Sequence, residues 1–188
     1  TASAMLFVAA ALLFSTLPAH ADANFQRWVQ QFRAIANQNG VTNATFDRAF
    51  SGISAPDPEV LRLANNQPEF NAPVWQYFDN QVNEEAIANG RAMAQRHARL
   101  LDAVEQRFGV SRYIVLAIWS IESRYGEALN NPRQVRSTIR SLATLAYGDQ
   151  RRQRFGRQQL VAALQILQNG DVDVSQMTGS WAGAMGHT

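Results

Sequence analysis

Residues Tyr113 to Gly126 read YIVLAIWSIESRYG, an apolar run that ends on a carboxylic acid. Between Tyr113 and Ile121 the only hydroxyl besides the tyrosine's belongs to Ser120. A helix here is apolar nearly all round, and such a helix is expected inside a core. Ser111 offers its N-cap, and Gly126 is the residue type best suited to the left-handed conformation that stops it. That places Glu122 in the last turn. Desolvation by apolar neighbours and the negative end of the helix dipole both disfavour a charged carboxylate there, so its pKa is expected to rise. A carboxyl protonated near neutrality is what a general acid needs, and glycosidic oxygens are common targets of such acids. The competing reading is a structural glutamate paired with Arg124 or another arginine, and position alone does not choose between them.

Working outward, the helical pattern repeats. Phe25, Trp28, Val29, Phe32, Ile35 and Ala36 have helical spacing up to Asn39-Gly40, and a short helix follows Thr42 with Phe46, Ala49 and Phe50 on one side. Asp57 can cap a third helix with Pro58 at its first position. A long helix is expected from Asn83 to Phe108, with His97 on its apolar stripe as a core or boundary residue. After the central run, Ser137 can cap a helix closing at Gly148, and Asp149 can cap the last one, which runs to Gly170. No alternating strand pattern or internal repeat competes, so the fold class is all-α. The segment 67–78, QPEFNAPVWQYF, gathers Phe70, Trp75, Tyr77 and Phe78 around two prolines. Such aromatics plug cores more often than they wall ligand sites.

Composition bounds the rest. The chain has 188 residues, 46% hydrophobic and 17% charged, enough for one globular domain with a core. Residues 4–17 are apolar but short for a bilayer, and Ala19-His20-Ala21 offers small residues at a cleavage site. Residues 1–21 are therefore expected to be a signal peptide lacking its own start, with no stable membrane span in the mature chain. The chain has no cysteine, which excludes disulfides, thiolate metal sites and a lipid-modified cysteine. All seventeen basic residues are arginine. Eight fall between positions 124 and 157 against only Glu127 and Asp149, a basic segment that suits an anionic polymer or water. Export makes nucleic acid the poorest partner. Asp171-Val-Asp173-Val-Ser175 resembles a calcium loop, but Gln176 and Ala182 stand where glycine and glutamate are wanted, so no metal site is assigned.

Two stretches stand together: Ile121-Glu122-Ser123-Arg124-Tyr125-Gly126 and GSWAGAMGHT at Gly179–Thr188. The pair resembles the lytic murein transglycosylase B family, lysozyme-like glycoside hydrolases that cut bacterial peptidoglycan. The resemblance covers nearly the whole chain from Asn24, including QPEF, Asn89-Gly90-Arg91 and Phe108-Gly109-Val110. It implies a lysozyme-like helical domain, of which residues 22–188 would be the N-terminal portion, ending before a substrate-binding glutamine that the family carries after its second motif. It implies that Glu122 is catalytic and that Ser180 lies against it. Arg151 and Arg152 would meet the acidic peptide stems, Tyr77 would wall the substrate, and Tyr125 would contact it as the aromatic of the first motif. The expected setting is periplasmic, the partner peptidoglycan glycan strands with peptide stems, and no cofactor is implied.

The chemistry agrees with the residue inventory. Ordinary glycosidases need two carboxylates flanking the bond, whereas the local sequence offers one, Glu127 being expected to point elsewhere. A transglycosylase uses the C6 hydroxyl of muramic acid as its nucleophile, so Glu122 would act first as acid and then as base. The enzymatic alternative is a hydrolytic muramidase, and the non-enzymatic one a helical module that binds cell wall.

Overall fold

The computed structural model describes residues 22–66, 73–131 and 134–185. Segment 1–21, residues Gln67–Ala72 with Phe70, and Gly186–Thr188 with His187 lie outside the described residues. Among the described residues there are nine α-helices, and none is long and apolar enough to cross a membrane.

The helices begin where the capping chemistry directs. α1 (Ala23–Gln38) opens on Asp22, whose Oδ1 accepts from the Asn24 and Phe25 N–H groups at 2.9 and 3.0 Å. α2 (Asn43–Phe50) opens on Thr42, and α3 (Pro58–Asn65) on Asp57 with proline at its first position. α8 (Thr138–Gly148) is capped by Ser137, and α9 (Gln153–Asn169) ends at Gly170 in the left-handed conformation. A lost cap of this kind costs about 1 kcal/mol. Asp149 serves the turn before α9 rather than the helix itself: its Oδ1 accepts from the N–H groups of Arg151 and Arg152 at 2.9 and 3.1 Å.

The main core lies between α1, α2, α8 and α9. Phe25, Phe32, Phe46, Ile139, Leu142, Leu160 and Leu164 are fully buried there, with Trp28 and Tyr147 packed at its edge. α8 and α9 run against each other along their length. They approach so closely at Gly156 that an added Cβ would stand 2.6 Å from the Ala146 nitrogen. α3 joins this block through Val60 and Ala64, which pack on Leu145.

The second part is an arm of α4 (Val74–Gln81), α5 (Glu84–Arg96), α6 (Ala98–Phe108) and α7 (Arg112–Ser123). The single long helix expected over Asn83–Phe108 is divided at His97, whose φ of −108° and ψ of 20° close α5 and open α6. The chain turns there, and both halves pack on α7. The expectation of a wholly buried central helix is not met either. α7 rests on α5, α6 and a 3-10 turn at Glu127–Asn130, and only Leu116 and Ser123 are buried along it. Tyr113 stays 71% exposed and Ile118 57%, because no described residue covers that side of the helix.

Two short strands, absent from the sequence expectation, connect the arm's end to the core. β1 (Arg136–Ser137) pairs antiparallel with β2 (Thr178–Gly179), placing Arg136 opposite Gly179. Two residues are too few to leave an alternating pattern.

Candidate active site

α7 is held at both ends. At its start Ser111 Oγ accepts from the Tyr113 N–H, and Glu105 of α6 accepts from the Arg112 N–H at 2.7 Å. The Arg112 guanidinium also donates to Glu105 and Asp102. The guanidinium pulls the Glu105 carboxyl below its ordinary value, and the two carboxylates raise that of the arginine. At its end the helix stops earlier than Gly126. Arg124 and Tyr125 both adopt left-handed conformations, with φ of 48° and 59°, before Gly126 continues at 89°. Each non-glycine residue there costs about 1–2 kcal/mol of strain. Buried Ser123 supports the turn: its hydroxyl donates to the Trp119 carbonyl and accepts from the Gly126 N–H at 3.0 Å. The Tyr125 ring meets Trp119 edge-on with centroids 5.3 Å apart, and Trp119 meets His97 at 5.6 Å.

Glu122 emerges from this last turn exposed, so the apolar desolvation expected around it is not provided by the described residues. It makes no ion pair or hydrogen bond among them, so no described arginine, Arg124 included, pairs with it. Instead it lines a cavity of about 430 Å³ together with Ser123, Leu129, Val135, Thr178 and Ser180. The two motifs that stand apart in sequence thus share one cavity, and Glu122 is the only carboxylate among its described lining residues. Glu127, as expected, faces elsewhere, into a separate small polar hollow beside Ser120 and Tyr125.

Ser180 is built into a tight loop. Its N–H donates to the Ala184 carbonyl at 2.7 Å, and its Oγ accepts from the Ala182 and Ala184 N–H groups at 3.3 and 3.2 Å. With both acceptor positions so used, the hydroxyl is left to act as a donor. No hydrogen bond joins it to Glu122 among the described residues. The loop can close this far because Gly179 lacks a side chain: an added Cβ would lie 2.1 Å from the Ala184 oxygen. Trp181 packs on Val60, Ala64 and Leu145, so the small-residue stretch is a packed loop.

The other expected residues lie outside this cavity. Arg151 and Arg152 clamp the C-terminal end of α3: each donates to the Ala64 carbonyl at 3.0 Å, and Arg151 also reaches Asn65 Oδ1 at 3.1 Å. Arg152 pairs with Asp149 at 3.2 Å and stacks over Trp181 at 5.4 Å, linking the arginine pair to the Ser180 loop. Tyr77 sits on α4, half-buried, edge-on to Phe78 at 6.4 Å. Tyr125 faces an apolar hollow between α5 and α7, away from the Glu122 cavity. The sequence reading missed Gln134, Gln176 and Thr178 as lining residues. No local pattern marks them, since they reach the cavity only through the strand pair and the turn after Glu127.

Residues 24–188 match the family described as Transglycosylase SLT domain. The chain belongs to that family. The membrane-bound lytic murein transglycosylase B of Escherichia coli (strain K12) is 25% identical over 175 residues, covering 88% of this chain and 46% of that protein. Among solved structures, SltB3 from Pseudomonas aeruginosa in complex with NAG-NAM-pentapeptide is 47% identical, with a TM-score of 0.73, covering 87% of this chain and 42% of SltB3. SltB1 from the same organism, 22% identical with a TM-score of 0.66, covers 86% of this chain and 52% of its own and shares the fold. The chain thus spans about half the length of the relatives it matches. The resemblance read from the two motifs and the all-α, lysozyme-like class are both borne out.

Proposed function

We propose that this chain carries the acid–base carboxylate of a peptidoglycan lytic transglycosylase that cleaves the MurNAc-β-1,4-GlcNAc bond and forms 1,6-anhydromuramic acid. The observation that carries the reading is Glu122: a carboxylate with no partner among the described residues, in the last turn of α7 before a strained turn, sharing a cavity with Ser180 and with no second carboxylate among the described lining residues. Two carboxylates are the requirement for ordinary glycoside hydrolysis, and one suffices when the substrate supplies the nucleophile.

Glu122 protonates the glycosidic oxygen as the C1–O4 bond breaks, releasing GlcNAc with a free 4-hydroxyl. The carboxylate so formed takes the proton of the C6 hydroxyl while that oxygen bonds to C1, restoring the acid without consuming water. Intramolecular attack replaces a second protein group by proximity. The Ser180 hydroxyl, restricted to donating, suits the carboxylate form of Glu122. SltB3 has also been solved with NAG-anhNAM-pentapeptide, an anhydro-sugar ligand, which favours this reading over a hydrolytic muramidase.

The substrate contacts follow the same reading. Exposed Arg151 uses Nη2 on α3, and its Nε and Nη1, which have no partner among the described residues, would meet a stem-peptide carboxylate. Tyr77 serves as a substrate wall and Tyr125 as a substrate contact outside the Glu122 cavity, and residues 1–21 direct export to the periplasm.

Mass spectrometry of peptidoglycan digested by the full-length protein tests the reaction. Anhydro ends are expected, and ends one water heavier would assign the muramidase. Glu122→Gln is expected to lower kcat by about 10²–10⁴ while sparing glycan binding. Binding with no cleavage by the unaltered protein would leave only the cell-wall-binding module.

A further inference from the structure

Ser180 directly follows β2, so its position depends on what holds the strand pair. Arg136 of β1 stands opposite Gly179; it is not among the lining residues of the cavity, and its Nη1 donates to Asp57 Oδ2 at 2.7 Å. Both side chains are largely withdrawn from solvent, 18% and 12% exposed. Asp57 is fixed from two further sides. Its N–H donates to Thr144 Oγ1 at 2.8 Å, and its Oδ1 accepts from the Glu59 N–H at 3.0 Å to cap α3. The Thr144 hydroxyl donates in turn to the Arg140 carbonyl at 2.7 Å. The Arg140 guanidinium donates to the carbonyls of Ala55 and Pro56 at 3.1 Å each. The turn before α3 is therefore locked onto α8, and Arg136 ties β1 to that lock.

We propose that the Asp57–Arg136 pair is a positioning device for the active site: through the two-residue ladder it sets where Ser180 and its wall of the cavity stand relative to Glu122. The catalytic part of this statement rests on the function proposed above. A strand pair this short is marginal by itself, so an anchor outside the ladder decides where it sits. Neither residue belongs to the aromatic core. The α3 cap uses Oδ1 and the α8 cap uses Ser137, so the bond from Arg136 to Oδ2 is not part of either cap. What the pair adds is the link between the α3–α8 block and the strand that leads into Ser180.

The test uses the full-length protein with Arg136→Met and Arg136→Lys, reading both steady-state kinetics on glycan strands and amide hydrogen exchange. Arg136→Met is expected to lower kcat about tenfold with a much smaller change in KM, because a small displacement of a positioned group is costly. Exchange is expected to accelerate at Thr178–Ala184 and to stay unchanged in α1 and α9. Arg136→Lys, which keeps one charged donor for Asp57, is expected to recover most of both effects. Unchanged exchange at Thr178–Ala184 in Arg136→Met would overturn the proposal. Equal acceleration in α1 and α9 would also overturn it, reducing the pair to general stability, and so would failure of lysine to restore the loop. Should the unaltered protein release no anhydro product, the transglycosylase reading falls, and the exchange pattern alone decides the proposal.

Discussion

The block of α1, α2, α8 and α9 and the arm of α5–α7 are both helical, capped and amphipathic, yet they are stabilised differently. In the block, phenylalanines and leucines from four helices pack together and are almost wholly buried. In the arm, Leu101 and Leu116 are the only buried hydrophobics among the described residues, and the ends are tied by a charged cluster of Arg112, Glu105 and Asp102. The carboxylate assigned to chemistry sits on the arm, while Ser180 hangs from the block. The cavity is thus a seam between a tightly packed unit and a loosely packed one, where Glu122 and Ser180 meet without either being buried.

The largest expected contrast is in packing. Phe25→Ala should cost about 3–5 kcal/mol in chemical denaturation, since it empties a fully enclosed site. Ile118→Ala, on the open side of α7, should stay within about 0.5 kcal/mol. A comparable loss at both positions would mean that the arm's exposed face is covered in solution, and the contrast would break.

A smaller effect is expected at the end of α7. Arg124→Gly removes the left-handed strain of about 1–2 kcal/mol but adds glycine's entropy cost of about 0.5–1 kcal/mol, leaving a net gain of about 0–1.5 kcal/mol. Slower exchange of the amides at 124–126 would report it. Faster exchange would show that the arginine side chain, rather than backbone geometry, holds the turn.

The smallest expected effect depends on pH. Arg112 holds the folded-state pKa of Glu105 below its unfolded value, so the stabilisation is fully present above the ordinary glutamate range and is lost as pH falls through the lowered value. Glu105→Gln should therefore weaken exchange protection at the start of α7 near neutral pH. The two proteins should converge in acid, where both side chains are neutral. A difference that persists in acid would assign the contact to shape rather than charge.

Most element starts were legible because their causes are local. Thr42, Asp57, Ser111 and Ser137 each accept from an N–H two or three residues ahead, and a cap works wherever the chain lies. The core of the block was legible for a related reason: Phe25, Val29, Phe32 and Ala36 recur at helical spacing, and all four are buried. The same reasoning failed on the arm. An apolar run was read as a buried helix, but hydrophobicity states only what a segment gains from a partner and not whether one is in reach. It failed again at His97, where a continuous stripe concealed a bend, and at β1 and β2, whose two residues leave no period.

The sequence by itself determined that this protein is helical, where most of its helices begin, and which two motifs deserved attention. It also carried the resemblance that the family match bore out. Only the tertiary structure decided that no described arginine pairs with Glu122, that Ser180 shares its cavity, and that Arg151 and Arg152 are engaged with the end of α3. Caps and periodicity act over a few residues and are written in order along the chain. A juxtaposition across a cavity depends on packing between helices far apart in sequence, and no short stretch contains it.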